Sequence, residues 1–153
     1  MEPFFNSLMD RFHELHAEIQ RHLDGIPPEA LDWTPGAEMN SISVIIVHLT
    51  GAERFWVGDV IFQDSSNRNR EAEFRVGGMS KADLQRRLSE TENYLKAALE
   101  KLSLSDLELE RTHPRQGYQV SVGAALLHAL EHTATHVGHI QLTAQMWQQR
   151  THA

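Results

Sequence analysis

Histidine is the residue type in this sequence with the clearest chemical potential, and it is concentrated near the end of the chain. The stretch from Ser121 to Arg150 contains no proline and consists mostly of residues that favour helix. Its histidines follow one another at steps of three or four residues: His128, His132, His136 and His139. Since such steps return to nearly the same side of an α-helix, all four are expected on one flank. His132 and His136, one turn apart, can direct two imidazoles at a single point.

A third imidazole is available from an apolar segment earlier in the chain. His48 is the titratable residue within the run SVIIVHL. Because a buried imidazole without a partner costs free energy, His48 must form a hydrogen bond, bind a metal or face a cavity. Three neutral imidazoles from two helices suit a divalent transition metal and leave positions open to water or substrate, as in catalytic sites. Spacing alone also allows the His132–His136 pair to be exposed or to pack without a metal.

Other titratable groups near these histidines are expected to have lesser roles. His128 and His139 extend the same flank and are expected at the rim of the site or in contact with the ligands. Glu53 and Glu131 are close enough in sequence to orient a ligand histidine. Their helical angles lean away from it, however, which favours two exposed carboxylates. The histidines of the first helical segment are expected to be surface residues: His13, His16 and His22.

Four amphipathic segments must position these side chains. Apolar residues recur at helical spacing over residues 3–24, 41–62, 80–102 and 121–149. Pro3 suits a first helical turn, and Ser80 and either Asn40 or Ser41 are good N-caps. Gly51 is unfavourable inside a helix unless another group packs close to it. Four such helices with little strand predict an all-α fold, a four-helix bundle.

The connectors between these helices are also informative. Residues 63–79 are polar and are predicted to form a long loop, which in a compact domain borders a site or is mobile. Residues 103–120 suggest a turn between two short extended pieces around Pro114 and Gly117. The connector over residues 26–40 contains two proline breaks and a glycine.

Composition excludes several classes of function. The chain has 153 residues, which predicts a single domain over residues 1–153. Cysteine is absent, so disulfides, cysteine nucleophiles and thiolate metal sites are excluded. A net charge of −7 disfavours nucleic acid as a partner, because phosphate binding needs a clustered basic surface. No apolar run is long enough for a membrane span. The N-terminal residues lack the pattern of a signal peptide, so the cytoplasm is the expected location.

Two motifs resemble a known family. The chain contains NSISVIIVHLTGAERFW, preceded by PPEALDWTP and followed much later by LLHALEHTATHVGHIQLT. Together they resemble the DinB/YfiT-like superfamily. The resemblance implies a four-helix bundle in up-down-down-up order, with one divalent metal held by His48, His132 and His136. The metal implied is Zn, Ni, Fe or Mn. His139 stands where the family often has glutamine, which leaves its role and that of His128 open.

The resemblance implies a particular metal site, but it leaves several activities open. Some members of the family are S-transferases that use a low-molecular-weight thiol, and others are thiol-dependent isomerases. The implied function is a metal-dependent enzyme, a thiol S-transferase acting on small electrophiles. The alternatives are a metal-dependent hydrolase and a non-catalytic bundle that binds metal or a small ligand. The implied partners are a small-molecule substrate and a second copy of the chain in a homodimer.

Overall fold

A computed structural model describes residues 1–150 and is mostly helical. The elements in chain order are α1 (Pro3–Gly25), a 3₁₀ turn (Pro28–Ala30), α2 (Ile42–Arg54), a π-helix (Phe55–Ile61), α3 (Arg70–Glu73), α4 (Lys81–Leu99), a 3₁₀ turn (Leu104–Glu108), β1 (Glu110–Thr112), β2 (Gln119–Ser121) and α5 (Val122–Gln149). The two strands form an antiparallel pair, with Arg111 opposite Val120. The all-α class is confirmed, and so are the four long helical segments. Within the described residues, no helix is long and apolar enough to cross a bilayer.

Serine side chains start three of the long helices. Ser41 accepts a hydrogen bond from the backbone N–H of Val44 at 3.3 Å, and Ser121 accepts one from Ala124 at 3.2 Å. Ser80 and Asp83 form a capping box at the start of α4. Each of these bonds satisfies a backbone donor that the first helical turn leaves free. The predicted helix starts are therefore confirmed to within a residue or two.

The segment predicted as one helix over residues 41–62 contains a change of helix type. α2 ends at Arg54, and residues Phe55–Ile61 continue as a π-helix. The wider π turn occurs where two side chains approach the backbone: a Cβ at Gly58 would collide with Arg54 Nη1 and with the Tyr94 hydroxyl. The prediction of a continuous α-helix was therefore wrong for the last two turns. Arg54 and Tyr94 can approach the backbone so closely at this point because Gly58 has no side chain.

The four long helices pack around two clusters of buried side chains. α1 packs against α4 and α5, and α2 also packs against α4 and α5, so that α1 and α2 lie across the diagonal of the bundle. One cluster joins the end of α1, the start of α2, the start of α4 and the end of α5, and it includes Ile19, Ile46, Leu88 and Ile140. The other includes Phe12, Val60, Leu99 and Leu126. This distribution favours the up-down-down-up order, which stays a prediction.

Candidate metal centre

The packing of α2 against α5 brings the three predicted ligands together. His48 lies in the middle of α2, and His132 and His136 lie one turn apart on α5. One ring nitrogen from each of the three imidazoles lies within 4.8 Å of the other two. The His48 Nε2 atom is 3.2 Å from His132 Nε2. Three nitrogens at such separations could share one cation placed between them.

A carboxylate fixes the tautomer of His48. The Nδ1 atom of His48 is 2.9 Å from Glu73 Oε2, and both side chains are buried. Since an ionised carboxylate can only accept, Nδ1 must donate its hydrogen to Glu73. The Nε2 atom then has a free lone pair, and this is the atom that faces His132. A carboxylate behind a histidine in this way is the usual arrangement in metal sites, where it orients the ring and raises its basicity.

An arginine holds Glu73 in its ionised form. Arg68 donates from Nε to Glu73 Oε1 at 2.5 Å and from Nη2 to Oε2 at 2.8 Å. Burial raises the pKa of Glu73, but the hydrogen bonds and charges of Arg68 and His48 outweigh burial and leave this pKa below its usual value. Glu73 also explains Gly51, because a Cβ there would collide with the Glu73 carboxylate. The sequence predicts that some group packs close to Gly51, and this group is the Glu73 carboxylate.

Two imidazoles of α5, those of His132 and His136, are held neutral. Burial lowers the pKa of His132 to about 3, with His136 and His48 adding to the effect. Burial and then His48 and His139 lower the pKa of His136 to about 4. Near neutral pH both rings therefore keep a lone pair available for coordination. Within the described residues, the buried Nδ1 atom of His132 has no hydrogen-bond partner. A divalent transition metal fits this group, because His132 and His136 are neutral, His132 has an unpaired nitrogen and the tautomer of His48 is fixed.

Two further histidines lie beside this group at the surface. His128 is exposed and its ring lies 4.2 Å from that of Trp56, measured between centroids. His139 is exposed, and its Nδ1 atom is 3.3 Å from His136 Nδ1. Phe74 covers the His48 ring at a centroid distance of 4.8 Å. The group therefore has an aromatic and histidine rim, and His128 and His139 occupy the rim positions that the sequence suggests.

Glu73 and Arg68 belong to the candidate site but were not predicted from the sequence. Both come from residues 63–79, which were predicted only as a loop that borders a site or is mobile. The segment does border the site, and its short helix α3 carries Glu73. Asn69 caps α3 by accepting from the backbone N–H of Ala72 at 3.1 Å. The NRNREAE run, in which a capping residue precedes acidic residues, is a signal that could have predicted this helix.

The structure corrects the predictions for Glu53 and His16. Both were expected at the surface, yet Glu53 is 0% and His16 is 1% exposed. The His16 Nε2 atom lies 2.9 and 3.0 Å from the two Glu53 carboxylate oxygens, and Thr133 donates its hydroxyl to Glu53 at 2.6 Å. Glu53 leans away from His48, as the helical angle predicts, but this direction leads to α1 rather than to solvent. Glu131 is exposed, as expected.

The buried pair leads to a prediction about the titration of His16. Burial lowers its pKa, but the charge and hydrogen bond of Glu53 and then those of Glu92 outweigh burial and raise it above 6.5. The stabilisation of the folded state by protonated His16 and its carboxylate partners is therefore fully present below pH 6.5, and it is lost as the pH rises through the raised pKa of His16. We expect Glu53→Gln to lower the pKa of His16, as measured from its ring resonances by NMR. An unchanged pKa in this variant would contradict the assignment.

A second prediction concerns the carboxylate behind His48. We expect Glu73→Gln to weaken zinc binding by about 10- to 100-fold, because the neutral amide accepts a weaker hydrogen bond from His48. Isothermal titration of metal-free protein with zinc measures this change. Glu71→Gln is the matched control, since Glu71 lies on the same short helix with its side chain 84% exposed. Equal affinity in the two variants would exclude a role for Glu73 in orienting His48.

Residues 11–140 of the chain match the DinB superfamily. A search of curated proteins finds no match. Among solved structures, a conserved protein from Enterococcus faecalis aligns with a TM-score of 0.80 at 12% identity, covering 95% of this chain and 98% of that one. YfiT from Bacillus subtilis, described as a probable metal-dependent hydrolase with an unusual four-helix bundle topology, aligns with a TM-score of 0.74 at 14% identity, covering 95% and 89%.

A mutant of mycothiol-dependent maleylpyruvate isomerase also aligns, with a TM-score of 0.66 at 13% identity. The alignment covers 90% of this chain and 62% of the isomerase chain. At identities this low, each of these likenesses shows a shared fold and no more. They agree with the four-helix bundle that the sequence predicts.

Proposed function

The chain belongs to the DinB superfamily, and from this premise we propose that it is a divalent-metal-dependent enzyme whose metal is held by His48, His132 and His136. The observation that carries the proposal is the convergence of these three imidazoles, with ring nitrogens within 4.8 Å of one another. Catalytic zinc sites use three protein ligands, whereas structural zinc sites use four, so a group of three histidines resembles a catalytic site. The identity of the metal stays open among Zn, Ni, Fe and Mn.

The residues around the site have defined tasks in this proposal. When bound, the metal would supply Lewis acidity, which lowers the pKa of a thiol or a water molecule and generates a nucleophile near neutral pH. Glu73 holds the Nδ1 hydrogen of His48, so that Nε2 stays a ligand. Burial keeps His132 and His136 neutral. Trp56 and Phe74, at the rim, offer apolar contacts to a small substrate.

The reaction that we propose is transfer of a low-molecular-weight thiol to a small electrophile. In this reaction the thiol sulfur forms a bond to an electrophilic carbon, the leaving group departs with its electron pair, and the thiol proton passes to solvent. The resemblance to thiol-dependent members of the superfamily supports this choice, and a mycothiol-dependent isomerase shares the fold. Hydrolysis is the second candidate, supported by the description of YfiT, which also shares the fold.

One assay separates these possibilities. Protein purified without nickel is stripped with a chelator and reloaded with zinc, then given glutathione or N-acetylcysteine with monochlorobimane, or a nitrophenyl ester without thiol. Thiol transfer predicts metal-dependent formation of the fluorescent thioether and loss of this activity in His132→Ala. Ester cleavage without consumption of thiol would identify a hydrolase. No turnover of either kind would leave the non-catalytic binding bundle as the function.

The assembly and location of the protein belong to the same proposal. A homodimer is the expected state, and light scattering coupled to gel filtration measures it directly. A monomeric mass at micromolar concentration would contradict the dimer. The cytoplasm stays the expected location, and a small molecule stays the expected substrate.

A further inference from the structure

A cavity lies beside the candidate metal centre and has a different chemistry. Its volume is about 450 Å³, and it lies between α2, α4 and the segment that contains α3. None of His48, His132 and His136 is among its lining residues. Glu73 and Arg68 form part of its wall, so the ion pair behind His48 separates the cavity from the three histidines. The volume falls within the range of small-molecule sites in proteins.

Three arginines line this cavity, and two of them are neutralised by carboxylates. Arg54 pairs with Asp59 at 3.2 Å and with Asp64 at 2.7 Å. Arg68 pairs with Glu73. These two guanidinium groups therefore have partners within the protein, and the positive charge that the protein leaves available in the cavity comes from the third arginine.

Arg87 is the arginine without a carboxylate. Its Nε atom donates to the Thr50 hydroxyl at 2.7 Å, and Nη2 lies 3.5 Å from the Val47 carbonyl oxygen. Among the described residues, no carboxylate oxygen lies within ion-pair distance of it. Burial lowers its pKa, and the charges of Glu73 and Glu90 oppose this effect through space without forming an ion pair with it. A half-buried guanidinium whose direct hydrogen bonds go only to neutral oxygens has donors left for an anion.

The rest of the lining suits a small apolar group. Val47, Ala72 and Val76 contribute aliphatic surface, while the Thr91 hydroxyl donates to the Arg87 carbonyl oxygen at 2.9 Å and the Tyr94 hydroxyl donates to Asp64 at 3.4 Å. Glu90 is the other lining carboxylate besides Glu73; it is exposed, so water screens its charge near Arg87. The free donors of Arg87 beside this aliphatic surface therefore suit an apolar body that carries one carboxylate.

We propose that this cavity binds a small organic carboxylate, with the carboxylate against the Arg87 guanidinium and the apolar part against Val47, Ala72 and Val76. The planar fork of arginine matches the two oxygens of a carboxylate, which favours this anion over a spherical one. The site does not depend on the metal, because it contains none of the three histidines. It would therefore exist even if the proposed enzyme activity were absent.

Benzoate is a suitable probe, and benzyl alcohol is its neutral counterpart. Metal-free protein is titrated with benzoate and with benzyl alcohol, and the His132→Ala variant is titrated in the same way. Binding is followed by the amide chemical shifts in NMR spectra. We expect saturable binding of benzoate in both proteins, with shifts around Thr50 and Thr91, and binding of benzyl alcohol at least tenfold weaker. Arg87→Met should weaken the binding of benzoate by at least about tenfold, which is the effect of losing one charge-assisted hydrogen bond. Arg86→Met is the control, since Arg86 is exposed and should leave binding unchanged.

A second variant keeps the test decisive if Arg87→Met does not fold. Thr91→Phe leaves Arg87 in place and fills the cavity from α4, so it should abolish benzoate binding. The proposal is overturned if wild-type protein shows no saturable binding, or if benzyl alcohol binds as tightly as benzoate. It is also overturned if a folded Arg87→Met or Thr91→Phe variant binds benzoate with unchanged affinity.

Discussion

Replacing His132 with alanine is expected to have the largest effect on the metal. The variant loses the imidazole whose Nε2 lies 3.2 Å from His48 Nε2, so two of the three converging nitrogens remain. Zinc affinity should fall by more than the about 10- to 100-fold that follows when only an orienting partner is lost. Isothermal titration of metal-free protein measures the affinity, and elemental analysis after gel filtration measures how much metal is retained.

His128 provides the matched control for this experiment. It lies one turn before His132 on the same helix and is exposed. Its ring lies 4.2 Å from that of Trp56 and 6.1 Å from that of His132, measured between centroids, and it is not one of the three residues whose nitrogens converge. His128→Ala should retain zinc with nearly the affinity of the unchanged protein. Full retention of zinc in His132→Ala would contradict the site, and equal losses in both variants would show that the histidine flank binds metal non-specifically.

The second large effect is expected on stability, from Glu53→Ala. This substitution removes the partner of His16 and of the Thr133 hydroxyl in a part of the core where all three residues are at most 1% exposed. Breaking a buried ion pair by removing one partner lowers the free energy of unfolding by about 3–5 kcal/mol. Urea unfolding followed by circular dichroism measures this loss, and it should be made below pH 6.5, where the stabilisation from the pair is complete.

Glu131→Ala is the control for this prediction. Glu131 is an exposed carboxylate adjacent to His132, and its removal should change stability by less than about 0.5 kcal/mol. If Glu53→Ala were as stable as Glu131→Ala, the buried cluster of Glu53, His16 and Thr133 would not contribute to the core.

The sequence contains enough information for the pair His132 and His136 because their spacing is local, one turn of a helix. His48 was assigned on two other grounds: it stands within a run of apolar residues that must be buried, and the resemblance to the DinB/YfiT-like superfamily implies it as the third ligand. The structure brings all three together, while binding of a metal stays a prediction. The helix starts were predictable for the same reason, since a serine that caps a helix acts on backbone groups within three residues of it.

Glu73 was not predictable in this way, because its contact with His48 depends on how the polar 63–79 segment folds back. Hydrophobic periodicity gives no information about such a segment, where Glu73 and Arg68 are buried together as an ion pair. The presence of Gly51 in the helix did indicate that something packs closely at that point, but it could not identify the group.

His16 could have been predicted from the periodicity of α1. It lies four residues after Phe12 and three before Ile19, and both of these are 0% exposed. A histidine at that spacing shares the buried face, and Leu15, one residue before it, is partly buried and packs against the same core. At the start of the helix Phe5 is buried, while Phe4 is 42% exposed. Since these two residues are of the same type, their apolar character alone does not decide which of them is buried.

X-ray absorption spectroscopy of zinc-loaded protein tests the central claim most directly. With zinc as the added metal, the predicted result is one ion per chain, with the multiple-scattering signature of three imidazole ligands from His48, His132 and His136. In His48→Ala this signature should decrease by one imidazole. A spectrum dominated by oxygen ligands, or one that is the same in His48→Ala as in the unchanged protein, would contradict the three-histidine metal centre.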